Sequence, residues 1–144
     1  MQDSIVLLYH TKFQNLPQVH KADILAHANQ HYAQASDILQ KSDNIVLYQE
    51  KRAVVGLAAL ERDKVSDDVI HLSMMCVNNR FQKSGIGTEM LTYVFDELQG
   101  PKQLRASIPP LRWNHAELVR FFEKRNFQMA PNDSDTTLLI HNAM

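Results

Sequence analysis

Apolar and polar positions along this chain follow two different periods. Short, nearly unbroken apolar runs extend from Ser4 to Tyr9, Asn44 to Gln49, Val54 to Leu60 and Val69 to Val77. Such runs predict strands, and the last, V-I-H-L-S-M-M-C-V, predicts a largely buried one. Glu50-Lys51-Arg52 and the segment from Arg62 to Asp68 are polar turns, so the second and third runs predict a hairpin. Elsewhere the apolar residues recur at helical spacing. Pro17 opens one helical segment, with Val19, Ala22, Ile24, Leu25 and Ala28 as its apolar positions, and a second spans about Tyr32 to Gln40. A third places Ile86, Met90, Leu91, Val94, Phe95 and Leu98 on one face, and Gly100-Pro101 stops it. Leu104 to Ile108, closed by Pro109-Pro110, predicts a further strand. Trp113 to Arg125 predicts a long helix with Leu118, Phe121 and Phe122 facing inward. It ends at Asn126, a residue that tolerates the left-handed conformation of a helix terminus. Phe127 to Ala130 and Thr136 to Ile140 predict the last two strands, giving the order β-α-α-β-β-β-α-β-α-β-β.

The segment joining the central strand to the third helix carries the clearest chemical signal. It reads N-N-R-F-Q-K-S-G-I-G, basic residues followed by two glycines that bracket Ile86. A strand feeding a glycine turn that opens a helix leaves several backbone N–H groups unpaired and pointing outward. With the positive end of the helix they form a site suited to phosphate oxygens. The spacing is not that of a Walker loop, because no Gly-Lys-Ser/Thr follows, and a dinucleotide-binding fingerprint needs a third glycine. The plain alternative is a strand-turn-helix whose glycines relieve a tight bend.

Composition narrows the choice. A chain of 144 residues predicts one domain, spanning 1–144, and 44% hydrophobic content supports a sizeable core. Lys and Arg total 15 against 16 Asp and Glu, so no overall positive field points to nucleic acid. The one cysteine, Cys76, excludes an internal disulfide framework, in keeping with a cytoplasmic protein. Neither a signal-like N-terminus nor an apolar stretch approaching 18 residues is visible, which predicts no membrane association.

Gln82-Lys83-Ser84-Gly85-Ile86-Gly87 fits the pattern Q/R-x-x-G-x-G/A. It resembles motif A of the GCN5-related N-acetyltransferases (GNAT), which cradles the pyrophosphate of acetyl-coenzyme A. Phe121-Phe122-Glu123-Lys124-Arg125-Asn126-Phe127 is similar to the family's F-Y-E-K-L-G-F ending. The element order is also the family's, so the resemblance covers nearly the whole chain. It implies an α/β fold with a mixed sheet of about six to seven strands flanked by about four helices. It further implies that Gln82, Lys83, Ser84, Gly85, Ile86, Gly87 and Thr88 hold the diphosphate, with charge added by Lys83 and Arg80. The central strand would splay from its neighbour, and the pantetheine arm would pair with the backbone of Met75, Cys76 and Val77 like an added strand. One N–H there would hold the thioester oxygen. On the last helix, Asn114 or His115 would contact the cofactor, and Phe122 would form part of the core or tunnel wall. No metal is implied.

The implied reaction is direct attack by a primary amine of a small molecule or peptide on acetyl-CoA in a ternary complex. Relatives often place a carboxylate base six residues before the position of Val77; here that position is His71, with Ser73 two residues on, and Glu61 is a weaker candidate. The family's tyrosine, which protonates the leaving thiolate, is replaced by Phe122. This substitution predicts a slower enzyme, a water or another side chain as acid, or a regulator that binds acetyl-CoA and acts through protein contacts without turnover. Relatives often pair, which makes a homodimer an expectation. His27 and His31, four apart on a predicted helix, read as helix surface rather than metal ligands, and Cys76 reads as inert filler in an apolar strand.

Overall fold

The apolar runs all enter one sheet. In a computed structural model, the described residues are 6–30, 32–50, 53–66, 68–77, 85–97, 103–108, 115–130 and 137–142. The chain forms β1 (Val6–Thr11), a 3₁₀ turn (Phe13–Asn15), α1 (Gln18–Asn29), α2 (Ala35–Lys41), β2 (Asn44–Glu50), β3 (Ala53–Arg62) and β4 (Val69–Val77). It continues through α3 (Ile86–Glu97), β5 (Gln103–Ile108), α4 (His115–Glu123), β6 (Gln128–Ala130) and β7 (Thr137–Asn142). The seven strands lie in the order β1-β2-β3-β4-β5-β7-β6. β4 and β5 run parallel, joined through α3, while the other neighbours run antiparallel.

The sheet is covered on both faces, which explains why β2 and β3 are apolar without alternation. Ile45, Leu47, Leu57 and Ala59 pack toward α1 and α2. Val46, Tyr48, Ala58 and Leu60 pack toward α3 and α4. On β4 the alternation slips by one residue. Leu72 and Met75 belong to the α3 side, Met74 and Cys76 to the α1 side. The cause is a β-bulge: Leu60 pairs with Leu72 and Ala59 with Met74, leaving Ser73 without a partner on β3.

The helices differ in how well their spacing foretold burial. On α3, Ile86, Met90, Leu91 and Val94 are buried, as the 3.6-residue period requires. On α1 the buried face is Ile24, His27 and Ala28, while Val19 is 71% exposed. His27 is therefore a core residue and not the surface residue its spacing from His31 suggested; His31 lies outside the described residues, as do Leu98 and Pro109-Pro110. Among the described residues, no helix is long and apolar enough to cross a membrane.

The end of α4 is a complete terminating motif. Asn126 has φ 70°, its N–H donates to the Glu123 carbonyl at 3.2 Å, and the Phe127 N–H donates to the Phe122 carbonyl at 3.1 Å. The Phe122 and Phe127 rings, 5.0 Å apart, supply the apolar contact that accompanies this arrangement. Because a β-branched side chain is strained at positive φ, Asn126→Val should lower unfolding free energy by about 1–2 kcal/mol. Asn126→Gly should hold it or raise it slightly. Urea denaturation of the two variants checks both.

Candidate active site

β4 and β5 are paired only from Val69–Gln103 to Leu72–Ala106. β4 then runs on to Val77 without β5, while Ser107 and Ile108 of β5 keep only the β7 partner that the strand has along its other edge. The two parallel strands thus fork immediately after Leu72, at the Ser73 bulge. Met75 stands opposite Ala58 of β3, but its N–H donates to the Tyr32 hydroxyl at 3.0 Å. The same hydroxyl donates to the Met75 carbonyl oxygen at 3.2 Å. The N–H and C=O of one strand residue leave on the same side, so Met75 presents both toward the fork rather than toward β3. Tyr32, between α1 and α2, is 1% exposed. Burial pushes its hydroxyl well above the usual phenol range, with Cys76 adding to the rise and the Met75 backbone bond opposing it. In the sequence Tyr32 is legible only as the start of a helical segment. A residue between helices that reaches across a sheet to one backbone unit leaves no periodic trace.

The start of α3 lies beside Met75: a Cβ on Gly87 would stand 3.9 Å from the Met75 Cε. Gly85 has φ 86° and accepts the helix's first bond, from the Glu89 N–H, at 3.0 Å. Among the described residues, its chain neighbours aside, no atom lies within 4 Å of where its Cβ would be, and the positive φ by itself favours glycine there. Gly87 has a different purpose. A Cβ on it would stand 3.0 Å from the Phe121 ring, so its small size sets the approach of α3 to α4. The Thr88 hydroxyl accepts from the Arg125 guanidinium, which also donates to the Phe121 carbonyl at 2.8 Å and lies 3.8 Å from the Phe121 ring centre. A cation is thereby pinned beside the first turn of α3, where sequence analysis had credited Arg80 and Lys83. Those two lie outside the described residues, as do Gln82, Ser84 and Asn114. His115 opens α4. Phe122 is 1% exposed and edge-packed against Phe121 and Phe127, at 5.3 and 5.0 Å between ring centres.

His71 points toward the β3–β4 turn. Its Nε2 is 2.7 Å from Asp63 Oδ1. A carboxylate only accepts, so Nε2 carries a proton and Nδ1 is the lone pair of the neutral ring. Asp63 also accepts the N–H groups of Val65 and Ser66, at 3.1 and 3.0 Å. Its carboxyl is pulled down to about 2, first by the bond from His71 and then by those two N–H groups. Glu61 pairs with His71 across the strands. Four residues separate His71 from Met75, roughly 13 Å of strand, so His71 reaches that backbone unit only through water. A charged cleft of about 700 Å³, lined by Lys41, Asp43, Glu61, Arg62, Asp63 and Lys64, opens at this end of the sheet and away from the fork. Cys76 is 5% exposed and burial pushes its thiol up, which leaves it unreactive. Among the described residues no group of three or more His, Cys, Asp or Glu side chains is placed to hold a metal.

A family model described as an acetyltransferase (GNAT) domain matches residues 16–137. A GNAT-family protein from Desulfovibrio desulfuricans superposes with a TM-score of 0.77 at 18% identity, covering 96% of this chain and 99% of that one. A GNAT acetyltransferase from Elizabethkingia anophelis, solved with acetyl-CoA bound, gives 0.69 at 14% identity, covering 95% and 97%. Arabidopsis thaliana Naa50, in complex with the bisubstrate analogue CoA-Ac-MVNAL, gives 0.69 at 12% identity, covering 95% and 98%. At these identities the likeness to solved structures is one of fold. No curated protein sequence matches the chain.

The Asp63–His71 pair gives the pH dependence a definite sign. A carboxyl lowered from 3.8 to about 2 stabilises the fold fully above the unfolded value, and the contribution is lost as pH falls toward 2. The melting-temperature difference between the wild type and Asp63→Ala should therefore be present at neutral pH and close between about pH 4 and 2. Thermal melts across that range measure it.

Proposed function

Because the chain belongs to the GNAT acetyltransferase family, we propose that it transfers an acetyl group from acetyl-CoA to a primary amine of a small molecule or peptide. The observation that carries this reading is the fork after Leu72, with the first turn of α3 beside it: a Cβ on Gly87 would stand 3.9 Å from the Met75 side chain. One end offers backbone groups to an extended amide-containing arm, the other offers N–H donors and the pinned Arg125 to a diphosphate. The two features are joined by one short segment of chain, as a ligand with both parts requires. The acetyl-CoA bound to the Elizabethkingia protein and the bisubstrate analogue bound to Naa50 support the choice of donor.

Gly85, Ile86, Gly87 and Thr88, with Gln82, Lys83 and Ser84 before them, would hold the diphosphate, and Asn114, which precedes α4 in the sequence, would contact the donor. Met75, Cys76 and Val77 would receive the pantetheine arm. The acceptor must arrive neutral. An alkyl ammonium titrates near 10.4, so the free amine lies about 4–5 kcal/mol uphill at pH 7. His71, its ring held by Asp63 roughly 13 Å along the strand from Met75, would take that proton by a chain of waters, with Ser73 at the branching point beside it. Departure of the thiolate is less demanding, because a thiol titrates near 8.5 and the cost at pH 7 is about 2 kcal/mol.

One observation favours a second reading. Phe122, buried among Phe121 and Phe127, has no proton to give, and the chain could bind acetyl-CoA as a regulator without turnover. Both readings predict that acetyl-CoA raises thermal stability, by about 2.7 kcal/mol at a hundredfold excess over Kd. The enzyme reading alone predicts release of free thiol when acetyl-CoA is offered with a panel of amines. Stabilisation without thiol release from any amine would leave the regulator. His71→Ala should lower kcat by roughly 10²–10⁴ and remove the acidic limb of the pH–rate profile. An unchanged profile would remove His71 from the mechanism.

A further inference from the structure

The hydroxyl of Tyr32 has no partner in the reaction as described so far, yet it stands where the acyl group would be handled. It bonds both polar groups of Met75, at 3.0 and 3.2 Å, on the edge of β4 that β5 has left. A strand edge that has lost its neighbour ordinarily turns its N–H and C=O to water or to an incoming strand. Here a side chain from outside the sheet, 1% exposed, has been brought in to meet them. We propose that Tyr32 is a catalytic residue, whose hydroxyl shifts from the Met75 backbone to the acyl oxygen of the bound thioester and holds it as an oxyanion.

Two hydrogen-bond donors converge at this point of the fork. The Met75 N–H and the Tyr32 O–H already share one small volume, because each bonds the other's residue within 3.2 Å. A carbonyl oxygen that displaces the phenol from the Met75 N–H meets two donors, the number such a site commonly uses. Nearby alternatives are weaker. Phe122 carries no donor, Cys76 is a buried thiol and a poor one, and Ser73 sits at the bulge, two residues toward the closed end.

In the step itself, the neutral amine's electron pair forms the C–N bond while the carbonyl π pair moves onto oxygen. Tyr32 and the Met75 N–H hold that charge. Collapse re-forms C=O and breaks the C–S bond, and the thiolate leaves with the electron pair. The amine nitrogen gives its proton to water, directly or by way of His71, and the thiolate takes one from water. Tyr32 keeps its own proton throughout. Burial raises that hydroxyl's affinity for its proton, so it suits a hydrogen-bond donor and not an acid for a thiol of ordinary pKa.

The inference rests on the acetyltransferase reading, and the test separates the two. Tyr32→Phe removes the hydroxyl and keeps the ring. Thiol release should show kcat reduced by about 10²–10³, with KM for acetyl-CoA within a few-fold of wild type and the acetyl-CoA thermal shift retained. Undiminished kcat in Tyr32→Phe, with an active wild type, overturns this inference alone. So does tighter acetyl-CoA binding at unchanged kcat, which would make the phenol merely an obstacle in the fork. A wild type that binds acetyl-CoA yet releases no thiol with any amine overturns the acetyltransferase reading and this inference with it. Should Tyr32→Phe fold poorly, 3-fluorotyrosine placed at position 32 keeps the hydroxyl and makes it a stronger donor. A rise in kcat of about twofold is then expected, and an unchanged kcat overturns the assignment.

Discussion

The parting of β4 from β5 is the constraint on which the rest of this structure depends. Two parallel strands of a buried sheet would ordinarily stay paired to their ends, since each buried N–H or C=O left unmet costs about 1–3 kcal/mol. Here pairing stops at Leu72–Ala106 although both strands continue. Each arm of the fork is held from its far side. β4 stays registered on β3 as far as Val77, and β5 stays registered on β7 from Gln103 to Ile108. The Ser73 bulge lies at the branching point and supplies the bend. The two arms of the opening are thus each held by an antiparallel ladder, and the edge between them suits something that can pair with a strand.

What surrounds the fork follows from chain order. The segment leaving β4 becomes α3, so the helix's positive end is delivered close to the open edge without any long-range arrangement. Gly87 lets α4 close onto α3 through Phe121, and Phe121 in turn carries Arg125 to Thr88. One small residue thus governs where a cation stands. The terminating motif at Asn126 positions Arg125 from the other direction, because it fixes where the last turn of α4 stops.

Much of this was legible in the sequence, for identifiable reasons. Both-face burial makes β2, β3 and β4 read as continuous apolar runs, and α3 shows a clean helical period. Gly85 and Asn126 announce positive φ because few other residues accept it. The features that were not legible are those set by tertiary contact. α1 buries His27 in place of Val19 because tertiary packing, not spacing, selects its inner face. The bulge at Ser73 shifts which β4 residues share a face, and no residue preference marks it. No sequence spacing ties Arg125 to Thr88, and the Asp63 partner of His71 lies in a turn eight residues earlier.

The substitution of phenylalanine at position 122 bears on which part of acyl transfer needs protein help. Expelling a thiolate at pH 7 is about 2 kcal/mol uphill relative to the thiol, so a proton donor there offers a bounded gain. The charge that forms on the acyl oxygen is a larger problem, because that oxygen needs hydrogen-bond donors already in place in the protein. A chain can therefore lose the hydroxyl at 122 and fill that space with an aromatic core more readily than it can lose donors at Met75. Phe121, Phe122 and Phe127 form such a core, and Tyr32 supplies a donor at Met75. The chemistry of the leaving group and the packing of the last helix thus explain one another.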